Sequence, residues 1–227
     1  MYAELTRFLS AGGPVIGLLA CLSLGALTVI LLKLWQWRRQ RPWPRNIAEQ
    51  ALANLEYGER ALAINLLQGQ RNYQARLISH ALQLLETGAL SIEEVKDESR
   101  RLARSFVTKL DSYVRILEVV ASLAPLLGLF GTVLGMIDAF QAMEAAGTQV
   151  NPSVLSGGIW KALLTTAAGL AIAIPVSMAN SWFERRVEVE SAAMLDGLER
   201  IFTLEAKKRA EHKVERLHAQ PGSRKAG

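Results

Sequence analysis

Three long stretches without a charged side chain constrain this chain more than any other feature. Residues 8–32, 119–137 and 162–183 contain no Asp, Glu, Lys or Arg. A bilayer core about 30 Å thick is crossed by roughly 20 apolar helical residues, so each stretch is long enough to span. Three buried helices of a soluble bundle would explain the length, but such helices usually keep a polar stripe. Apolar residues make up half of the 227, a share that soluble domains also reach; it is their concentration that argues for a membrane. The first stretch reads as a span rather than a cleaved signal. Glu4 and Arg7 give no cationic leader, the run exceeds a signal's apolar core, and no small-residue cleavage site ends it. The expected fold class is all-α: an integral membrane protein with three transmembrane helices.

Charge placement predicts the orientation. Lys33, Arg38, Arg39, Arg41 and Arg45 follow the first span, Arg100, Arg101, Arg104, Lys109 and Arg115 precede the second, and Arg185 and Arg186 follow the third. Between the second and third spans there is no cation before Lys161. Cytoplasmic segments carry the excess of Lys and Arg, so the N-terminus is expected outside and the C-terminus inside. The implied segments are a periplasmic N-terminus (1–12), span 1 (13–35), a cytoplasmic helical loop (36–115), span 2 (116–139), a periplasmic connection (140–157), span 3 (158–183), and a cytoplasmic helix with a basic tail (184–227). Trp35, Trp37 and Trp182 fit the inner interface, Trp160 and Phe8 the outer one, where amphipathic rings are favoured.

The loop reads as helical, with Ile47, Ala51 and Leu55, then Leu62 and Leu66, at helical spacing. Gly58, Gly69 and Gly88 punctuate it, and Ser91 with Glu94 forms a capping box. No Pro or Gly follows until Pro125, so one helix is expected from there into span 2. Span 3 is likewise expected to continue into the cytoplasm. The net charge of +5 is accounted for by topology and by acidic membrane lipids, not by nucleic acid. Cys21, the single cysteine, gives no disulfide framework, and His80, His212 and His218 have no metal spacing. No nucleophile motif or nucleotide loop is present, so neither an enzyme nor a cofactor or metal is expected.

Spans 2 and 3 carry the chemical information. In span 2, Pro125, Gly128, Thr132, Gly135 and Ala139 recur at three- and four-residue steps, and Gly131 with Gly135 has GxxxG spacing. In span 3, Thr166, Gly169 and Ala173 form a second small stripe, with Thr165 about 100° round the helix and Pro175 beyond. Small residues let membrane helices approach closely, so Pro125, Gly128, Gly131, Gly135, Gly169 and Pro175 are expected to pack helices. At about 1.5 Å per residue, Thr132 lies about 20 Å up span 2 and Thr166 about 6 Å down span 3. Both fall in the outer half, a candidate polar surface formed by Thr132, Thr166 and Thr165. A carboxylate there would have to come from a partner helix.

The blocks SLAPLLGLFGTVLGMIDAF and GGIWKALLTTAAGLAIAIP resemble the two core spans of the ExbB/TolQ/MotA proton-channel family, closest to its ExbB and TolQ branch. The close likeness covers roughly residues 115–185. The resemblance implies a pentamer around two copies of a single-span partner, ExbD or TolR, whose intramembrane aspartate carries protons. The resulting work would pass to a periplasm-spanning protein such as TonB or TolA. Thr132 then matches the pore threonine of the family's GTV block, and Thr166 that of its TTA block. Lys161 stands where ExbB and TolQ usually have glutamate. Either its ammonium snorkels to headgroups, or it alters the pore mouth by pairing with a partner's acid or with Asp138 or Glu144. The alternatives to TonB-linked transport are a TolQ-like role in envelope integrity and a membrane scaffold without ion flux.

Overall fold

The computed structural model describes residues 13–40, 45–70, 72–146 and 152–218. Among the described residues are seven helices and no strand. In chain order they are α1 Gly13–Gln40, α2 Arg45–Glu56, α3 Arg60–Leu67, α4 Tyr73–Thr87, α5 Ile92–Asp111, α6 Val114–Ala146 and α7 Pro152–His218. The chain forms two compact units, one drawn from Met1–Trp35 and Asp111–Arg185, the other from Gln36–Leu110 and Arg186–Gly227. Both draw on α7.

The first unit holds the apolar helices. Gly13–Arg38, Val114–Ala145 and Leu155–Arg216 are long and apolar enough to cross a membrane. Only 22, 28 and 28 % of their apolar windows is buried. Leu24, Leu126, Leu163 and Ile174 stand exposed, a surface suited to lipid or further helices rather than water. On α1, Val15, Leu19, Ala26 and Lys33 are buried at helical spacing. Val15 and Leu19 join Ala124 of α6 and Ala173 of α7 in a small core, flanked by Leu127, Leu134, Ala168 and Ile172.

Two expected boundaries change. The 140–157 connection is largely helix, because α6 runs on to Ala146 and α7 begins at Pro152. The residues after Ala139 contain no breaker before Gly147, and proline suits a first helical position, where its missing N–H costs nothing. The expected continuous helix from Ser91 into span 2 is also interrupted. α5 ends at Asp111 and α6 starts at Val114, with Tyr113 in the left-handed region at φ 67°. A non-glycine residue there costs roughly 1 kcal/mol, and no sequence rule placed the break at a tyrosine. Residues 1–12 and the tail beyond 218 lie outside the described residues.

The second unit is a helical cluster. Its interior includes Leu52 of α2, Leu67 of α3, Leu77 and Ile78 of α4, Val95 and Phe106 of α5, and Met194 and Ile201 of α7. The glycine punctuation holds: Gly58, Gly69 and Gly88 have φ of 86°, 73° and 60°, values that suit glycine. So does the capping box. The Ser91 N–H donates to Glu94 Oε2 at 2.7 Å, and the Glu94 N–H donates to Ser91 Oγ at 3.3 Å. The Ser91 backbone amide, with its hydroxyl second, holds the Glu94 carboxyl below its ordinary pKa.

Two arginines tie α7 into this unit. Arg60 donates to Glu205 at 2.7 Å and to the Leu82 carbonyl at 3.2 Å, and lies 3.4 Å from Glu86. Arg200 donates to Glu49 at 3.1 Å and Glu56 at 2.9 Å. Gln74 adds a bond to the Ala193 carbonyl at 3.1 Å. The Arg60 side chain is 27 % exposed and its Glu205 partner 19 %, so part of each group's hydration is lost on folding. Truncating Arg60 to methionine leaves Glu205 without its arginine, and about 2 kcal/mol is expected to be lost. Arg200→Met, whose Glu49 partner is more than half exposed, should cost less than about 1 kcal/mol. Thermal unfolding in detergent should show the larger fall in midpoint for Arg60→Met.

Candidate functional site

In the first unit α6 and α7 approach each other closely. Ala124, Gly128, Gly131, Gly135 and Ala139 are buried along one face of α6. Opposite them on α7 lie Ala162, Thr165 and Gly169, all buried, with Gly158 half-buried. A Cβ built on Gly128 would lie 3.0 Å from the Thr165 carbonyl oxygen and 3.1 Å from the Thr166 Cα. On Gly135 it would lie 3.1 Å from the Ala162 Cβ, and on Gly169 2.5 Å from the Ala124 carbonyl oxygen. On Gly131 it would strike the Thr165 side chain at 2.5 Å, and on Gly158 it would strike Ala139. These helices meet backbone to backbone because both faces lack side-chain bulk.

The contact face is rotated from the expected stripe. Gly128, Gly131, Gly135 and Gly169 lie in it. Pro125 and Thr132 are one residue, about 100°, round from Ala124 and Gly131, and both are half-buried at its edge. Pro175 is exposed, two residues or about 200° round from buried Ala173, and so lies away from that buried face. Thr165, expected on a polar surface with Thr132 and Thr166, sits inside the contact at 2 % exposure.

Each threonine has a distinct environment. Thr165 Oγ1 donates to the Ala162 carbonyl at 2.7 Å and lies 3.3 Å from the Gly128 carbonyl. Thr166 Oγ1 donates across the contact to the Gly128 carbonyl at 3.1 Å. Thr132 Oγ1 donates to Leu129 on its own helix at 2.6 Å. With Gly131 against Thr165 and Gly128 against Thr166, Thr132 and Thr166 are about one helical turn apart in height.

At the end of this contact nearest the α6–α7 connection, Lys161 Nζ lies 3.9 Å from Asp138 Oδ2, with both side chains substantially exposed. Of the two acids proposed for Lys161, Asp138 is the one paired. A Cβ built on Gly13 would lie 4.0 Å from the same ammonium, so the start of α1 also borders the group. Lys33, expected among the cations that follow the first span, has a fully buried side chain, at 1 % exposure. The signal was its spacing, seven residues beyond Ala26 and fourteen beyond Leu19 on the inward face of α1. Trp37, four residues further on, is buried too, whereas Trp35, Trp160 and Trp182 are exposed.

A family model described as the MotA/TolQ/ExbB proton channel family matches residues 69–196, a stretch that contains α4 to α6 and the first two-thirds of α7. The chain belongs to this family. Among its relatives, biopolymer transport protein exbB1 of Vibrio cholerae is 40 % identical over 79 residues, 33 % of this chain and 35 % of that protein. A putative ExbB homolog of Methanothermobacter thermautotrophicus is 27 % identical over 193 residues, 83 % of this chain and 66 % of the relative. The Tol-Pal system protein TolQ of Haemophilus influenzae is 42 % identical over 81 residues, 36 % of this chain and 35 % of that protein. The chain thus covers between about a third and two thirds of the length of these relatives.

The packing has a direct test. Gly169→Ala would set a methyl 2.5 Å from a backbone oxygen, so α6 and α7 must separate, at a cost of about 1–3 kcal/mol. A Cβ on Gly157 meets nothing within 4 Å, and Gly157→Ala should be neutral. Melting of the two variants in detergent should differ accordingly.

Proposed function

We propose that this chain is the channel-forming subunit of a complex that uses the proton-motive force to do work across the bacterial envelope. The observation that carries the reading is the α6–α7 contact. The charge-free stretches of these two helices, 119–137 and 162–183, are locked at backbone distance, with threonine hydroxyls as the polar groups at and beside the contact. No ionisable group lies between Glu118 and Asp138 on α6, or between Lys161 and Glu184 on α7. The proton-binding carboxylate must then be supplied by another helix, which suits a single-span partner of the ExbD or TolR kind bearing an intramembrane aspartate. In this reading the protein lies in the inner membrane, N-terminus out and C-terminus in, as a homo-oligomer and the family's pentamer. Family membership and the placement of cations support it.

Of the two roles in the ExbB and TolQ branch, we infer the ExbB-type one, in which a TonB-like protein receives the work for transport across the outer membrane. Several relatives of this chain are named biopolymer transport proteins ExbB. The TolQ-type role, acting through a TolA-like protein, is favoured by the 42 % identity with TolQ. Loss of TonB-dependent uptake on deletion, with an intact outer membrane, supports the first; leakage with normal uptake supports the second.

Thr132 distinguishes a channel from a scaffold. Its hydroxyl bonds its own helix and lies beside the α6–α7 contact, so Thr132→Val is nearly isosteric and removes no contact between these helices. The variant should assemble with its single-span partner at the normal level and lose proton-driven uptake. Full uptake by Thr132→Val would sink the pore role.

Lys161 and Asp138 are tested by charge exchange. The pair is exposed and contributes less than about 1 kcal/mol to stability, so any functional effect reports the charge at the mouth. Lys161→Glu should reduce uptake by facing Asp138 with a second carboxylate. The double variant Lys161→Glu, Asp138→Lys should recover it.

A further inference from the structure

In the second unit, α4, α5 and the turn after α3 enclose an open groove of about 560 Å³. One wall is a single face of α4, presenting Arg76, Ser79, His80 and Gln83 at helical spacing. The other wall is α5, where Arg101 makes two bonds to Glu98, at 2.7 and 2.6 Å. That pairing meets the needs of Glu98, whose carboxyl is held below its ordinary pKa by the Arg101 bond. Arg76 differs. Its guanidinium lies 5.3 Å from the centre of the Phe106 ring, and among the described residues no carboxylate lies within ion-pair distance of it. Phe106 is itself buried, and the Tyr73 ring packs on it at 4.7 Å. Stacking on a fixed ring pre-organises a guanidinium while leaving its in-plane N–H groups free to bond. Lys109 lies 5.9 Å from the same ring.

The lining thus offers donors in excess: a fork-shaped cation, a hydroxyl one turn along, an imidazole and an amide. With Glu98 cancelled by Arg101, the formal charge of the groove is +1 from Arg76. We propose that this groove binds a phosphate group, with Arg76 as a bidentate donor and Ser79 bonding a further oxygen. A guanidinium matches two phosphate oxygens at once, and the volume admits the rest of a phosphate-bearing molecule. The phosphate could be carried by a soluble compound or by a phospholipid headgroup. This site shares no residue with the α6–α7 contact, and its existence does not depend on proton flow.

The test is calorimetric titration of the full-length protein in a phosphate-free, uncharged detergent. The probes are inorganic phosphate, adenosine diphosphate, short-chain phosphatidylglycerol and short-chain phosphatidylcholine. Saturable binding is expected for at least one phosphate-bearing probe. Arg76→Gln should weaken it at least tenfold, Arg76→Lys and Ser79→Ala severalfold, and Arg209→Gln, on exposed α7, not at all. Binding confined to inorganic phosphate and the nucleotide would identify a soluble ligand. Binding confined to phosphatidylglycerol would identify a lipid headgroup. No saturable binding of any probe would overturn the proposal. So would binding of unchanged strength in Arg76→Gln, or equal weakening by Arg209→Gln, which would indicate diffuse charge attraction. The unliganded melting temperature of Arg76→Lys, expected to match the parent, separates lost binding from lost folding.

Discussion

The backbone-to-backbone meeting of α6 and α7 is the constraint on which the first unit rests. Burial of apolar surface drives association in water but not in lipid, where tails are as apolar as leucine. What holds two such helices together is dispersion at short range and hydrogen bonds that lipid cannot replace. Gly128, Gly131, Gly135 and Gly169 supply the short range. Thr166 supplies a hydroxyl bond to the Gly128 carbonyl across the contact, of a kind worth about 0.6–2 kcal/mol in membranes. The same closeness leaves room on the contact face only for small side chains such as Thr165, which lies inside it. Thr132 and Thr166 sit half-buried at its edges.

The second unit solves a different problem with different chemistry. It carries ordinary buried apolar residues on every helix, and arginine–glutamate pairs fix which part of α7 docks. Arg60 reaches α4 and α7 at once, through Glu86, the Leu82 carbonyl and Glu205. Arg200, five residues before Glu205 on α7, bridges to α2. Charged pairs add register more than energy, since they penalise any slip of the helix by leaving an arginine unmatched. Gly197 contributes shape here too: a Cβ there would lie 3.2 Å from the end of Ile78.

What the sequence could reveal depended on the length scale of each signal. Spans were legible because some 20 residues agree, and no local choice overturns that. The glycine turns and the Ser91–Glu94 box were legible because each needs a particular residue type at a fixed offset. The phase of a span was harder to read. Thr132 and Gly131 are adjacent, both small, and either can head a stripe; the choice is made by the opposing helix, where Thr165 fills the space a Gly131 side chain would occupy. The same 100° step exchanged the places of Thr165 and Thr166. Tyr113 was invisible because a tyrosine carries no local signal for the positive φ it adopts. Lys33 was misread through its neighbours, since Arg38 and Arg39 made it look like part of an interfacial cluster, while its spacing from Leu19 and Ala26 put it on the buried face.

Lys161 stands where the resemblance to ExbB and TolQ implies a glutamate, and the geometry restricts what a lysine there can mean. A lysine snorkelling alone would leave Asp138 facing lipid headgroups with no counter-charge. The observed separation of 3.9 Å instead lets the two groups offset each other's charge where α6 and α7 come together near their connection. Exposure of both side chains keeps the pair weak, so a nearby carboxylate from a partner can compete for the ammonium at little cost. A glutamate at this position has no such choice beside Asp138, because two carboxylates repel. With lysine the net charge here depends on which acid it holds, whereas the glutamate implied by the resemblance would fix it negative. That property belongs to the α6–α7 pair together, since neither Asp138 nor Lys161 has it alone.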